Sequence, residues 1–358
     1  MSDQETQWPE GGNSSSAPGG GDGAPSTASE EAGQRRSRRR ILIALLVLLL
    51  AVIACNAYYM LSRQPITTLP LVRAFARSTP PTYLFSITGL SEPMGIAISP
   101  DAQRVYVTEL GGERMVRVFD RTGKQIVSFA FPGTKIPDRA PTYPAVDRQG
   151  RLYVPERAQH VVAVYSPEGR HLGVFPRVAP GENFAWSPLG VSIGRSGDIL
   201  VTDTTVDEHS VYIFDSSGQL RKRFGKSGSG NGEFDFPNQA AVDHRSRIYV
   251  TDGNNGRVSI FDADGNHLGY LGVGNAPGAV GLPRGLAIDS MDRLHVVDSI
   301  NGRVQVFDVS GDKPSFLFTI GAASSARPLA LPNGVAVDDT GRVYIANTAE
   351  NEVQVWTY

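Results

Sequence analysis

"FGKSGSGNGEFDFPNQAAVDHRSRIYVTDGNNGRVSIFDADGNHLGYLG" (residues 224–272) breaks into short apolar runs separated by turn residues. "PNQAAVD", "RIYVTD" and "RVSIFD" read as strands a, b and c, and the run after "DADG" as strand d. Alternating β-branched and aromatic residues bounded by Gly, Asn and Asp are the signature of strands joined by tight turns.

The same order recurs along the chain. "MVRVFDRTG" (115–123), "VVAVYSPEG" (161–169), "SVYIFDSSG" (210–218), "RVSIFDADG" (257–265), "RVQVFDVSG" (303–311) and "EVQVWTY" (352–358) align. Their aromatics, at 119, 165, 214, 261, 307 and 356, are separated by 46, 49, 47, 46 and 49 residues. Upstream of each lies "RVYVTE", "RLYVPE", "DILVTD", "RIYVTD", "RLHVVD" or "RVYIAN". Before that comes a Pro-led strand such as "PMGIAIS", "PRGLAID" or "PNGVAVD". Four strands repeated at this period make the blades of a β-propeller, here six of them. No helical apolar period is present outside 41–61.

The sixth unit stops at Tyr358, directly after strand c. "YLFSI" (83–87) nearly duplicates "FLFTI" (316–320), the outer strand of the fifth unit. Residues 82–89 are therefore expected to supply the missing outer strand and close the ring. Closure removes a sheet edge that would otherwise invite aggregation.

The 224–272 stretch resembles an NHL repeat, with a Gly-rich lead-in, a Pro-led inner strand, "YVTD" and "N-x-x-G-R-V" in order. Residues 282–321, with "IDSMDRLHVVDSINGRVQVFD", match almost as well. The units at 93–131 and 139–175 lack the Asn-Gly-Arg element, and Pro144 and Pro155 replace strand residues there. The resemblance covers 82–358 and implies an all-β, six-bladed NHL-type propeller of a membrane-anchored bacterial kind. It implies little about activity, because one fold hosts many.

The N-terminal part has a different composition. Residues 1–34 are Gly/Ser/Pro-rich and read as disordered, the start of a cytoplasmic tail (1–40) that ends in "RRSRRR" (35–40). "ILIALLVLLLAVIACNAYYML" (41–61) has no charge and, as a helix, spans about 30 Å. Five Arg before it predict a cytoplasmic N-terminus and a single-pass signal-anchor, with the propeller outside. "VIAC" (52–55) also resembles a lipobox that would lipidate Cys55, and a cleaved secretory signal is the third reading. Residues 62–81, with four prolines, are expected to form a spacer. The chain has 34 Lys+Arg, 36 Asp+Glu and a net charge of −2, so no basic excess points to nucleic acid. A lone cysteine excludes a disulfide framework.

Several motifs are less than they seem. "FGKSGSG" (224–230) has Leu220 where a phosphate-binding loop needs Gly. "DADGN" (262–266) would need Glu, not Val273, as a calcium loop's twelfth residue. Glu109, Glu156, Asp203, Asp252, Asp298 and Asn347 end strand b in each blade. They could form a top-face ring on the b–c loops that attracts a cation or basic partner. Alternatively, they accept bonds from their own loops or pair with Arg257 and Arg303. His295 takes a slot held by Tyr106, Tyr153, Tyr249 and Tyr344, as a packing substitute.

The residues after each inner-strand proline are Met94, Thr142, Leu189, Asn238, Arg284 and Asn333, followed by Gly95, Tyr143, Gly190, Gln239, Gly285 and Gly334. They are expected to ring the channel mouth. Arg284, Asn238, Gln239 and Asn333 would give a polar side suited to a carboxylate. Met94 and Leu189 would give an apolar one, with Thr142 and Tyr143 between; a water-filled channel with a polar lining is the alternative.

Two functions fit. One is a membrane-tethered, extracytoplasmic scaffold that captures a protein, peptide or glycan on its top face without any cofactor. The other is implied by resemblance to gluconolactonase-like hydrolases, where "LPNGVAVD" matches a "PNG" strand. Asn333, with Asn238, would then be a metal ligand for Ca²⁺ or a similar ion. Amidating-lyase-like enzymes use channel histidines that are missing here.

Overall fold

The computed structural model describes residues 27–62, 77–177 and 185–358. The chain forms two compact units, Met1–Val72 and Arg73–Tyr358. In the first, a helix runs Thr27–Ser62. It starts earlier than the tail reading allowed, because "ASEEA" and the following Gln and Arg residues are good helix formers. Ile41–Leu50 expose their described apolar side chains. Among the described residues, no helix is long and apolar enough to cross a membrane. The Cys55 side chain and residues 63–76 of the expected spacer lie outside the described residues.

The second unit is six antiparallel sheets of four strands each. Blade 1 is Pro93–Ile98, Arg104–Glu109, Val116–Asp120 and Gln125–Phe129. Inner strands a of blades 3 to 6 are Pro188–Ile193, Pro237–Val242, Pro283–Ile288 and Pro332–Val337. That of blade 2 shrinks to Ala145–Val146, since Pro144 has no N–H to donate.

Blade 6 is closed as its sequence requires. Thr82–Ile87 pairs with Glu352–Thr357, with Tyr83 opposite Trp356 and Ile87 opposite Val353. The Tyr83 and Trp356 rings meet edge-on at 5.7 Å. Ile87 is buried in a cluster that joins blade 6 to blade 1 through Val353, Val355, Ile96 and Val107. Just ahead of this strand, Arg77 Nη1 donates to Ser310 Oγ at 2.6 Å.

Each remaining blade boundary is likewise filled by an apolar cluster from two neighbours. Four glycines let the inner strands crowd together at the axis. A Cβ on Gly95, Gly190, Gly285 or Gly334 would stand 2.3–2.5 Å from a carbonyl of the next blade.

Candidate functional site

Strand a begins and strand b ends at the face that carries the b–c and d–a loops. There the six strand-b acids and amide are buried and already bonded. Ser91 N–H donates to Glu109 at 2.9 Å, Ala140 N–H to Glu156 at 3.3 Å and Ser187 N–H to Asp203 at 2.6 Å. Asp235 N–H donates to Asp252 at 2.7 Å, Gly281 N–H to Asp298 at 2.9 Å and Ala330 N–H to Asn347 at 2.7 Å. Arg257 pairs with Asp252 at 2.8 Å, Arg303 with Asp298 at 3.0 Å and Arg117 with Glu109 at 3.4 Å. The ring therefore fastens the loop leading into each inner strand. It does not present open carboxylates to a cation. Burial pushes Glu109 and Asp252 above the ordinary range, against the pull of their arginines. Among the described residues no arginine bonds to Glu156, since Val161 stands where Arg257 and Arg303 reach in blades 4 and 5, and only the field of Arg139 opposes its burial. Burial raises it to about 7.

The expected open rim at the channel mouth is also corrected. Met94, Tyr143 and Leu189 are buried together, with Leu110 and Phe236 packed on them. Thr142, Asn238 and Gln239 are buried too. The cause is the close approach of the inner strands, which the side chains then fasten. Thr142 Oγ1 donates to the Leu189 carbonyl at 2.5 Å, and Gln239 Oε1 accepts from Leu286 N–H at 2.9 Å. Asn238 Nδ2 donates to the Phe236 and Pro283 carbonyls at 3.1 and 3.3 Å. Asn333 is half-buried and donates to Thr348 Oγ1 at 2.8 Å.

The sequence reading missed the partners of this ring. Thr108, Thr202 and Thr251, the threonines of the repeated "VT-acid" run, donate to the carbonyls of Thr142, Asn238 and Arg284 in the next blade at 2.7, 2.9 and 2.7 Å. Pro155 interrupts that series in blade 2, where Thr142 takes over. The recurring threonine was the visible signal.

Arg284 remains half-buried at the mouth. Burial pushes the Tyr143 hydroxyl up to about 12 against the opposing field of Arg284. Among the described residues Asn238 Oδ1 is buried without a hydrogen-bond partner, while the Tyr143 hydroxyl faces Arg284. Around this mouth, the same face carries Ile136, Val206, Val273, Ile300 and Leu331, which are 45–80% exposed. The a–b and c–d turns opposite carry no exposed large apolar side chain among the described residues.

The histidines are structural. His295 is buried, with Nε2 2.8 Å from the Tyr358 hydroxyl, and burial lowers it to about 4. His160 Nδ1 lies 3.0 Å from the Trp186 carbonyl, and His209 Nδ1 lies 3.2 Å from that of Phe234. Among the described residues no three His, Cys, Asp or Glu side chains are grouped to hold a metal.

Six four-stranded blades closed by an N-terminal strand define a six-bladed β-propeller. A family model described as a six-bladed β-propeller matches residues 194–270, and the NHL repeat model matches 329–356. The chain carries NHL repeats. It is 30% identical over 133 residues to protein brain tumor of Drosophila melanogaster, covering 37% of this chain and 12% of that protein. With lin-41 of Caenorhabditis elegans it shares 53% identity over 45 residues, which is 13% of this chain and 4% of that protein. Both relatives are far longer than the stretch they share with this chain.

Solved structures agree on the fold. A streptogramin B lyase superposes with a TM-score of 0.55 at 17% identity, covering 77% of this chain and 98% of the lyase. A gluconolactonase from Xanthomonas campestris gives 0.58 at 19% identity, covering 78% and 95%.

Proposed function

We propose that this propeller is a binding module that captures a protein or peptide on the face of its b–c and d–a loops. The observation that carries this reading is that, of the two loop faces, this one alone carries exposed large apolar side chains among the described residues; the others of the propeller, such as Leu84, Ile126 and Leu268, are spread singly over the outer strands. Exposed apolar groups gathered on one face mark interaction surfaces. Arg284, at the centre of that face, would hold an acidic group of the partner through a charge-assisted bond. The half of the original site assigned to Met94 and Leu189 passes to the loop residues, because those two are packed inside. Among the described residues this face offers a glycan no exposed aromatic platform.

The apolar run 41–61 behind "RRSRRR" supports a membrane tether with the propeller outside the cytoplasm. Protease added to intact cells should then digest the propeller and spare the tail; the reverse pattern refutes this topology. Among the described residues the metal-dependent hydrolase reading finds no grouped donor set. Asn238 and Asn333 bring no carboxylate or histidine with them, and the ring acids are already bonded.

The test uses the 358-residue chain as bait in its native envelope. Val206→Asp with Ile300→Asp, and Arg284→Ala separately, should each reduce capture about tenfold or more. Ile126→Asp, on an outer strand, should not. Equal loss in all three, or in none, overturns the assignment.

A further inference from the structure

On the face opposite the proposed docking surface, most blades carry a repeated lock. An Asp opens the a–b turn, an Arg follows four residues later, and an aromatic lies two beyond that. In blade 2, Arg151 Nε donates to Asp147 Oδ2 at 2.6 Å and the Tyr153 hydroxyl to the same oxygen at 3.2 Å. In blade 4, Arg247 and Tyr249 do the same to Asp243 at 2.7 and 3.1 Å. Blade 6 repeats the hydroxyl bond, from Tyr344 to Asp338 at 3.4 Å. Blade 5 has Asp289, Arg293 and His295, and the ring of Tyr358 completes the slot. Blade 1 keeps the aromatic as Tyr106.

Blade 3 loses all three members. Gly194, Asp198 and Leu200 stand where Asp, Arg and Tyr stand elsewhere. The backbone does not require this. A Cβ on Gly194 would meet nothing closer than 3.6 Å, and its φ is not in the left-handed region.

The consequence is measurable between successive blades. At the junction of blades 2 and 3, where Tyr153 fills its slot, the residual cavity is about 70 Å³. At the junction of blades 3 and 4, bounded by the equivalent positions Asp198, Leu200, Ile213 and Ala263, it is about 400 Å³. The second is open to solvent and is bordered also by Arg221, Lys222 and Asp264, and small-ligand pockets begin near roughly 300 Å³.

We propose that the junction of blades 3 and 4 is a binding site for a free, small phenol. The fold itself indicates the chemistry, since every other junction fills this slot with an aromatic ring from the chain. The ring of the ligand rests against Leu200, Ile213, Val242 and Ile248. Its hydroxyl donates to Asp198, whose carboxylate lies in the cavity wall. Asp198 already accepts from Arg221 Nη1 at 3.0 Å and Ser196 Oγ at 2.7 Å. A carboxylate has about four acceptor sites, so a further donor is accommodated. A phenol O–H donating to a carboxylate makes a charge-assisted bond.

The test titrates the full chain with 4-ethylphenol by ligand-observed NMR and follows the melting temperature. Saturable one-to-one binding is expected, with a rise in melting temperature at excess ligand. 4-Ethylanisole, which keeps the ring and loses the hydroxyl proton, should bind about tenfold more weakly. Leu200→Tyr restores the internal ring and should abolish binding. Ala263→Trp, on the exposed turn at the rim, should block the cavity without touching the core, so the test survives if Leu200→Tyr does not fold. The proposal is overturned if 4-ethylphenol shows no saturation up to the order of 10 mM, a limit corresponding to about −3 kcal/mol. It is also overturned if Ala263→Trp binds like the parent, or if the anisole binds equally well.

Discussion

Replacing Glu156 by Gln should stabilise the propeller at neutral and alkaline pH and not in mild acid. Glu156 is buried where strand b of blade 2 ends, and its one recorded hydrogen bond comes from Ala140 N–H at 3.3 Å. Its folded pKa is about 7 against an ordinary 4.5. At 1.36 kcal/mol per pKa unit, ionising it in place costs about 3 kcal/mol. Because the folded pKa is raised, the native state holds the proton more tightly than the unfolded chain between these values. Stability is therefore fully present below about 4.5 and is lost as pH rises through 7.

Gln keeps an acceptor for Ala140 N–H and carries no charge, but its amide needs a partner of its own. A lost hydrogen bond returns about 1 kcal/mol of the gain, leaving about 2 kcal/mol at pH 8. For a unit of this size that is a rise of roughly 3–4 °C in melting temperature. The assay is thermal melting of parent and variant at half-unit steps from pH 5 to 8. The two curves should converge near pH 5 and diverge upward. Parallel curves over the whole range would refute the reasoning, since the carboxyl would then titrate alike in both states.

His295 predicts the opposite slope. Its folded pKa is lowered to about 4 from 6.5, so stability is present above 6.5 and falls by about 3 kcal/mol as pH drops through 4. In Glu156→Gln this slope should stand uncovered, and His295→Tyr, the sibling residue, should flatten it. Ile87→Ala empties the buried end of the closing strand and should cost about 2–4 kcal/mol in denaturant melts. A cost near zero would mean that the N-terminal strand does not close blade 6. Gly334→Ala would press a methyl to within 2.3 Å of the Met94 carbonyl, so a loss of about 2 kcal/mol or more is expected. An unchanged melt would show that the inner strands are free to separate.

The propeller was legible in the sequence because its blades repeat. Each unit meets nearly the same surroundings, so strand order, turn chemistry and the borrowed outer strand could be read by aligning the chain with itself. The likeness of 83–87 to 316–320 pointed to the outer strand, and the structure sets its register, with Tyr83 opposite Trp356 and Ile87 opposite Val353. Alignment also exposed the strand-b acids, and the structural role weighed for them from Arg257 and Arg303 is the one the geometry bears out.

What repetition could not give is distance. Met94, Tyr143 and Leu189 occupy rim positions in the alignment, but whether a rim is open depends on how closely six inner strands approach one axis. The glycines let them come within carbonyl contact, and three apolar side chains from blades 1, 2 and 3 then met and closed the gap. Departures from the repeat carry the same lesson. Val161 in place of an arginine, and Leu200 in place of a tyrosine, are single letters in the sequence. The tertiary structure decides what each costs: the first leaves a buried carboxyl with no arginine bonded to it, only the field of Arg139 opposing burial, and the second leaves a slot for which the chain supplies no ring.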